Sequence, residues 1–172
     1  MLKINNIKLQ FGELILLKDT SLKLKRGKLT GLVGQSGIGK TSLLNGVALK
    51  LKEMSYDSYT IDNQKIQTIQ DLRGKLLYLQ QENKFFEDMS VKDNYILHQY
   101  LCGIEHPILN ENLVQADKMI KQLSGGELNQ CEFGKLFLND YDLILVDETF
   151  ANMDKKAKHE CIKQLKDYVV EH

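Results

Sequence analysis

Gly34 and Gly39 bracket four residues and are followed directly by Lys40 and Thr41, a spacing that suits few local structures. The apolar residues 29–33 before this segment predict a strand, and the residues after Gly39 have the apolar spacing of a helix. A glycine-rich turn between strand and helix lets consecutive backbone N–H groups point at an anion, and the positive end of the helix adds to the attraction. The pattern therefore predicts a phosphate-binding loop. Its other members are Gln35, Ser36, Gly37 and Ile38.

The polar side chains of this loop match the chemistry of a nucleoside triphosphate. Lys40 is expected to reach the β- and γ-phosphates, and the Thr41 hydroxyl is expected to take one Mg²⁺ coordination site. Ser42 is a further candidate for a phosphate contact. The alternative is a glycine-rich turn without a ligand, but the apolar strand before the loop and the helix after it favour ATP with Mg²⁺.

A second apolar stretch, residues 143–146, is followed by Asp147 and Glu148. Ligands of open α/β sheets bind at the carboxyl ends of the strands, where these two acids are expected to lie. Asp147 can hold Mg²⁺ directly or through water, and Glu148 can orient or deprotonate a water molecule at the γ-phosphate. Taken alone, the pair is equally consistent with a strand that ends in a solvated turn. Beside the glycine loop, it indicates a nucleotide site.

Strands interspersed with helices predict an α/β fold with a mainly parallel sheet. The first part of the chain, before the glycine loop, is expected to form short strands, and further strands are expected near residues 59–61 and 76–79. The pattern is helical from Val91 to Gln122, with an interruption near Pro107, and again over residues 125–138. These helices predict a small inserted subdomain at about residues 88–138. Residues 154–170 predict an amphipathic helix.

The composition bounds the possible functions. The chain has 172 residues, which fits one domain with a substantial core. Lys plus Arg and Asp plus Glu are both 23, and this balance argues against a general nucleic-acid binder. No apolar run approaches the ~18–20 residues that span a bilayer, so any membrane link is expected to run through a partner. Cys102, Cys131 and Cys161 are widely spaced and suit free thiols in a reducing cytoplasm.

Residues 123–127, between the two motifs, read Leu-Ser-Gly-Gly-Glu. Ser124, Gly125 and Gly126 are expected to open the next helix and to present N–H groups and a hydroxyl to an anion. With the flanking motifs in this order, essentially the whole chain resembles the ATP-binding cassette (ABC) ATPases, whose signature sequence ends here at Glu127. The resemblance implies one P-loop NTPase domain over residues 1–172 with an N-terminal antiparallel β subdomain. It also implies that two ATP molecules are buried between two head-to-tail domains, each signature facing the other domain's γ-phosphate.

The resemblance assigns three further positions by their spacing. Phe11 takes the place of the aromatic residue that stacks on adenine, although a core phenylalanine is an equal alternative. Gln81, favoured over Gln80 by its register with the residues that follow, takes the place of a glutamine that contacts Mg²⁺ or the attacking water and relays to the transporter subunit. Residues 151–154 resemble a segment that communicates between the two sites of a dimer.

The chain departs from the family pattern at several positions. Thr149 follows the acidic pair where proline is usual, and Gln130 and Lys135 replace two common arginines after the signature. Lysine keeps the charge of arginine but not its planar fork. The family places a switch histidine after one more strand, and His172 does not match it. The final strand and that histidine are therefore expected to be lacking, in either a fragment or a naturally short domain.

The resemblance implies an ATP-binding and ATP-hydrolysing subunit that powers a bacterial-type ABC transporter. Lys40, Gln81 and Glu148 are the expected catalytic residues, with ATP and Mg²⁺ as ligands. The expected partners are membrane permease subunits and a second ATPase domain, identical or different, without nucleic acid. The expected location is the cytoplasmic face of the cell membrane, and both export and uptake stay open. The alternatives are a nucleotide-binding regulatory module without efficient turnover and a non-transport ABC protein.

Overall fold

The computed structural model describes residues 1–80, 84–109, 115–149 and 155–171, with the side chain of Glu171 excepted. The chain divides into two compact units. The first comprises Met1–Leu72 and Gln164–His172, and the second comprises Arg73–Lys163. Helices and strands alternate along the chain, which confirms the predicted mixed α/β class. The prediction of one domain over residues 1–172, with a helical subdomain at about 88–138, stays a prediction.

The first unit contains a five-stranded antiparallel sheet, in which the order is β2-β1-β4-β5 and β3 also pairs with β1. Its strands are β1 (Leu2–Phe11), β2 (Leu14–Leu24), β3 (Met54–Ser55), β4 (Ser58–Ile61) and β5 (Gln64–Lys65). The N-terminal antiparallel sheet that the resemblance implies is thereby confirmed.

A bulge explains why the apolar pattern of β1 alternates only partly. Leu2 and Ile4 are buried, and so are Ile7 and Leu9, although the alternation changes from even to odd numbers between the two pairs. The register with β2 shifts between Ile4 and Ile7, and Asn6 lies there with a left-handed φ of 54°. The extra residue keeps all four apolar side chains on the core face of the strand.

Helix α1 (Lys40–Val47) packs in the first unit, and it begins where the sequence predicts. The Tyr59 hydroxyl of β4 donates a hydrogen bond of 3.0 Å to the Val47 carbonyl, which ties the end of the helix to the sheet. Gly46 allows α1 to lie close to Met54 of β3, because a Cβ at position 46 would collide with the Met54 side chain. Burying a large apolar side chain of this kind contributes about 2 kcal/mol.

The prediction of a strand over residues 29–33 is wrong. The structure shows no regular element there, and Leu29, Leu32 and Val33 are 52%, 47% and 94% exposed. A strand is stabilised by hydrogen bonds to a neighbouring strand, and no described strand pairs with this segment. An apolar run alone therefore does not determine a strand.

The second unit contains a two-stranded parallel sheet of β6 (Leu76–Leu79) and β7 (Leu143–Val146). Both strands lie where the sequence predicts, and Leu77, Leu79 and Leu145 are buried. Among the described residues, parallel pairing is confined to these two strands, whereas the larger sheet is antiparallel. The expectation of a mainly parallel sheet is thus corrected, since the segment before the glycine loop joins neither sheet.

Three further helices are α2 (Val91–Leu101), α3 (Gly125–Gly134) and α4 (Lys155–Glu171). The helices at 125–134 and 155–171 confirm their predictions, and a short 3-10 helix, Lys135–Phe137, continues α3. The long helical stretch ends earlier than predicted, because Gly103 takes a φ of 93° just after α2. Beyond it, the described residues before the signature form only the 3-10 turn Ile120–Gln122. No helix within the described ranges is long and apolar enough to cross a bilayer.

Candidate nucleotide-binding site

The glycine loop turns into α1 through two left-handed residues. Gly37 has a φ of 78°, and Gly39, the residue that caps the helix, has a φ of 100°. The Gly39 carbonyl accepts the first helical hydrogen bond from Leu43 N at 2.9 Å. A Cβ at position 39 would also lie 2.8 Å from Leu16 Cδ1, so both backbone conformation and space require glycine. The start of α1 directly after Gly39 agrees with the sequence, and phosphate binding by this loop stays a prediction.

Lys40 is held over its own loop. Its Nζ donates to the Gly34 carbonyl at 3.1 Å and to the Gln35 carbonyl at 2.9 Å. These acceptors are neutral, so a phosphate oxygen could replace them with a stronger, charge-assisted hydrogen bond. The first turn of α1 carries no acidic side chain that would repel such an anion.

The remaining loop positions differ in exposure. Residues 34–38 and Thr41 are exposed, and Ser42 is half-buried. Phe11 ends β1 and pairs across the hairpin with Leu14, where it is half-buried. This placement is consistent with either role of Phe11, so adenine stacking stays a prediction.

The two acids follow β7 directly and occupy different environments. Asp147 is buried, and its backbone N–H donates to the Leu79 carbonyl at 2.9 Å. Its Oδ2 accepts a hydrogen bond of 3.4 Å from the Tyr78 hydroxyl, and burial together with the Asp147 charge raises the pKa of Tyr78 to about 12. Glu148 is exposed and has a φ of 50°, an uncommon conformation for a residue with a side chain. Uncommon backbone conformations of this kind cluster at functional sites.

Thr149 forms a link that the usual proline could not form. Its side chain is buried, and its hydroxyl donates to the Gln80 carbonyl at 3.4 Å. Gln80 is the last described residue of its segment. Gln81 lies outside the described residues, and so do residues 151–154 and His172.

The signature residues open α3 through a capping box. The Ser124 Oγ accepts a hydrogen bond of 3.3 Å from the Glu127 backbone N–H, and the Glu127 Oε2 accepts one of 2.8 Å from the Ser124 N–H. Gly125 and Gly126 form the exposed first turn, and a Cβ at either position would meet nothing within 4 Å. The predicted start of the helix at the signature is thus confirmed.

Two residues that sequence reasoning missed surround the Glu127 carboxylate. Its Oε1 accepts hydrogen bonds from Gln115 Nε2 at 2.7 Å and from Lys118 Nζ at 3.2 Å. Hydrogen bonds from the Ser124 backbone and side chain, then from Lys118 and Gln115, lower the pKa of Glu127 to about 2. No periodic pattern connects Gln115 or Lys118 with α3, so neither contact could be predicted from the sequence.

The protein groups suit a magnesium ion that is only partly ligated by protein. Among the described residues, no cluster of three or more His, Cys, Asp or Glu side chains could hold a metal by itself. Mg²⁺ prefers hard oxygen ligands and is commonly held by one or two protein oxygens, water and substrate phosphates. The exposed Thr41 hydroxyl and the Asp147 carboxylate, which the Tyr78 hydroxyl orients, are oxygen donors of this type.

Comparison with known proteins identifies the family. The ABC transporter family model matches residues 17–151, so the chain belongs to the ATP-binding domains of ABC transporters. Members of this family bind ATP.

Individual relatives agree with this assignment. The chain is 29% identical to the petrobactin import ATP-binding protein YclP of Bacillus subtilis, over 99% of the chain and 73% of that protein. It is 27% identical to the intermembrane phospholipid transport system ATP-binding protein MlaF of Haemophilus influenzae, over 90% and 64%. A solved structure described as an ABC transporter ATP-binding protein from Pyrococcus furiosus has the same fold, with a TM-score of 0.81 at 20% identity, over 99% of this chain and 86% of that one.

Proposed function

We propose that this chain is an ATP-binding and ATP-hydrolysing subunit that powers an ABC transporter. The observation that carries the proposal is the Lys40 ammonium, which lies over a glycine loop with two left-handed residues and donates to two neutral carbonyls. That arrangement suits the β- and γ-phosphates of ATP. The family match supports the same reading.

Catalysis in this proposal consists of positioning and charge stabilisation. Backbone N–H groups of the glycine loop and the Lys40 ammonium bind the phosphates. Glu148 orients or deprotonates the attacking water, and its exposed side chain at the end of β7 supports that role. We assign Gln81 to the same water or to the metal, on the basis of the resemblance.

The donor chemistry of Thr41 and that of Asp147 each fit Mg²⁺, and we assign both residues to the ion on the basis of the resemblance. When bound, Mg²⁺ neutralises part of the phosphate charge. The Tyr78 hydroxyl donates to Asp147 and keeps the carboxylate in one orientation. Burial of Asp147 strengthens the attraction between its carboxylate and a cation, because the local dielectric constant is lower than in water.

The working form is a head-to-tail dimer with a second ATPase domain. The first turn of α3 offers the Ser124 hydroxyl and the N–H groups of Gly125 and Gly126 to the γ-phosphate that the other domain holds. Closure and opening of this dimer would drive permease subunits at the cytoplasmic face of the membrane. The relatives named above serve petrobactin import and phospholipid transport, and the substrate of this chain stays open.

The test is ATP hydrolysis by the purified chain, with Mg²⁺, at increasing protein concentration. A rate that rises more steeply than linearly would support composite sites. Glu148→Gln should abolish turnover and accumulate an ATP-bound dimer, because phosphate binding is kept while the water is no longer activated. Glu105→Gln, an exposed glutamate outside the site, is the control. Unchanged turnover in Glu148→Gln would contradict the assignment.

A regulatory module that binds ATP without efficient turnover is the second candidate. Thr149 in place of the usual proline, with its hydroxyl on the Gln80 carbonyl, favours it. ATP binding without phosphate release, at every protein concentration, would support this candidate over the first.

A further inference from the structure

The Glu127 carboxylate lies in the first turn of α3, beside the groups that would receive a phosphate. It occupies the Ser124 backbone N–H, one of the donors that the start of a helix offers to anions. The low pKa of Glu127 keeps this side chain ionised at neutral pH. A phosphate that approaches Ser124, Gly125 and Gly126 therefore meets a negative charge in the same turn, and like charges at such a distance repel.

Lys118 supplies the opposite charge at this point. Its ammonium lies 3.2 Å from Glu127 Oε1, nine residues away in sequence, and about half of its side chain is exposed. Gln115 binds the same oxygen through its amide nitrogen at 2.7 Å. The carboxylate is thus held by donors from outside α3 as well as by the helix itself.

The turn that carries Lys118 is hydrogen-bonded through its backbone to the start of α2. Val91 N donates to the Lys118 carbonyl at 3.0 Å, and Lys92 N donates to the Ala116 carbonyl at 2.9 Å. Gln115 closes the turn through a 3.0 Å bond from Lys118 N and takes a left-handed φ of 62°. Backbone hydrogen bonds to a helix limit the movement of Lys118, so its charge is placed in advance of any ligand.

The signature serine has a defined orientation in this arrangement. The Ser124 Oγ accepts the Glu127 N–H, and this bond sets the position of the hydroxyl at the start of α3. If the Glu127 carboxylate moved, its bond from the Ser124 N–H would be lost, whereas the bond from the Glu127 backbone N–H to Ser124 Oγ does not involve the carboxylate. The Ser124 N–H therefore depends on how the Glu127 carboxylate is held.

We propose that Lys118 is a positioning residue of the signature: its ammonium holds and neutralises the Glu127 carboxylate, so that Ser124 and the glycine N–H groups can donate to the γ-phosphate of an ATP bound by a second domain. This inference rests on the proposed function. Lys118 acts through Glu127 and does not itself touch the phosphate. We therefore expect the loss of the Lys118 charge to weaken ATP-driven association when residue 127 is glutamate. The effect should be much smaller when residue 127 is glutamine.

The experiment uses the full chain with Glu148→Gln as parent and measures ATP-dependent self-association by sedimentation. Lys118→Met should weaken association by about two- to fivefold, the scale of a well-placed surface ion pair. Lys118→Arg should restore it, because the charge returns. Lys121→Met is the matched control, since Lys121 lies three residues from Lys118, is about equally exposed and also forms an ion pair, with Asp88.

A double-mutant cycle with Glu127→Gln separates this role from general stabilisation. In the Glu127→Gln background, Lys118→Met should change association by less than about twofold, because no carboxylate is left to neutralise. Binding of ADP to the monomer should be the same in every variant, since it does not involve the signature. An equal loss in both backgrounds, or a loss no larger than that of Lys121→Met, would overturn the role of Lys118. Failure of the parent to bind ATP would instead contradict the proposed function itself.

Discussion

The Tyr95 hydroxyl occupies the space that a side chain at Gly134 would need. It donates a hydrogen bond of 2.6 Å to the Cys131 carbonyl of α3. A Cβ built on Gly134 would collide with the Tyr95 hydroxyl oxygen. Tyr95 is buried among the side chains that join α2 to α3. That cluster consists of Val91, Tyr95, Ile120, Cys131 and Leu138, all buried.

Gly134→Ala should destabilise the protein, although alanine favours helices. The added methyl group must displace the Tyr95 ring, and overpacking of this kind typically costs ~1–3 kcal/mol. Urea unfolding of the two proteins measures the difference. Gly126→Ala is the stability control in the same helix, because a Cβ there meets nothing. If the collision is the cause, Gly134→Ala should cost less in a Tyr95→Phe background.

His98 should make stability depend on pH between about 6.5 and 4. Its Nε2 lies 2.9 Å from the Tyr141 hydroxyl, and burial, with a smaller effect of the Lys135 charge, lowers the pKa of His98 to about 4. A histidine whose pKa is lower in the folded state than in the unfolded state stabilises the fold fully at pH values above the unfolded-state pKa. That stability is lost as pH falls towards the folded value, because the unfolded chain takes up the proton first.

The expected loss from this histidine is about 3 kcal/mol over that range, at ~1.4 kcal/mol for each unit of pKa. Urea unfolding at pH 7.5 and at pH 4.5 measures it. His98→Gln should flatten the dependence, whereas His106→Gln, at an exposed position, should leave it intact. An unchanged slope in His98→Gln would contradict the assignment.

Lys135 should be needed to neutralise Glu132. Their side chains are 7% and 4% exposed, the Nζ–Oε2 distance is 2.7 Å, and the Lys135 Nζ also lies 4.1 Å from the centre of the Phe85 ring. Lys135→Met leaves a buried carboxylate without its partner, which typically costs ~3–5 kcal/mol. Thermal unfolding should show a much smaller loss of stability for the double variant Lys135→Met/Glu132→Leu than for Lys135→Met alone. Equal losses in the single and double variants would contradict this account.

Gly39→Ala should strongly reduce ATP affinity and have a smaller effect on the free energy of unfolding. An alanine at a φ of 100° is strained, and its Cβ would press on Leu16. The loop is expected to relax and lose the geometry that aims its N–H groups at phosphate. Fluorescent-nucleotide binding measures the effect. Gly12→Ala is a control for a strained glycine in open space, and it should keep nucleotide affinity.

Several elements could be predicted because the signal is local. Gly37 and Gly39 require left-handed conformations, and Ser124 and Glu127 have the spacing of a capping box. The two parallel strands follow from short apolar runs with turns at both ends. The prediction of a strand over residues 29–33 was wrong, since this apolar run pairs with none of the described strands.

The sequence by itself determined the family, the glycine loop before α1, the acidic pair after β7 and the start of the signature helix, because each depends on residues close together in the chain. Only the tertiary structure decided that Lys118 and Gln115 hold Glu127, that Tyr95 fills the space beside Gly134, and that burial lowers the pKa of His98. These relationships join segments that are distant in sequence, and no periodicity or motif spacing encodes such pairs. They arise from the packing of helices and turns against one another, which sets both the distances and the local dielectric.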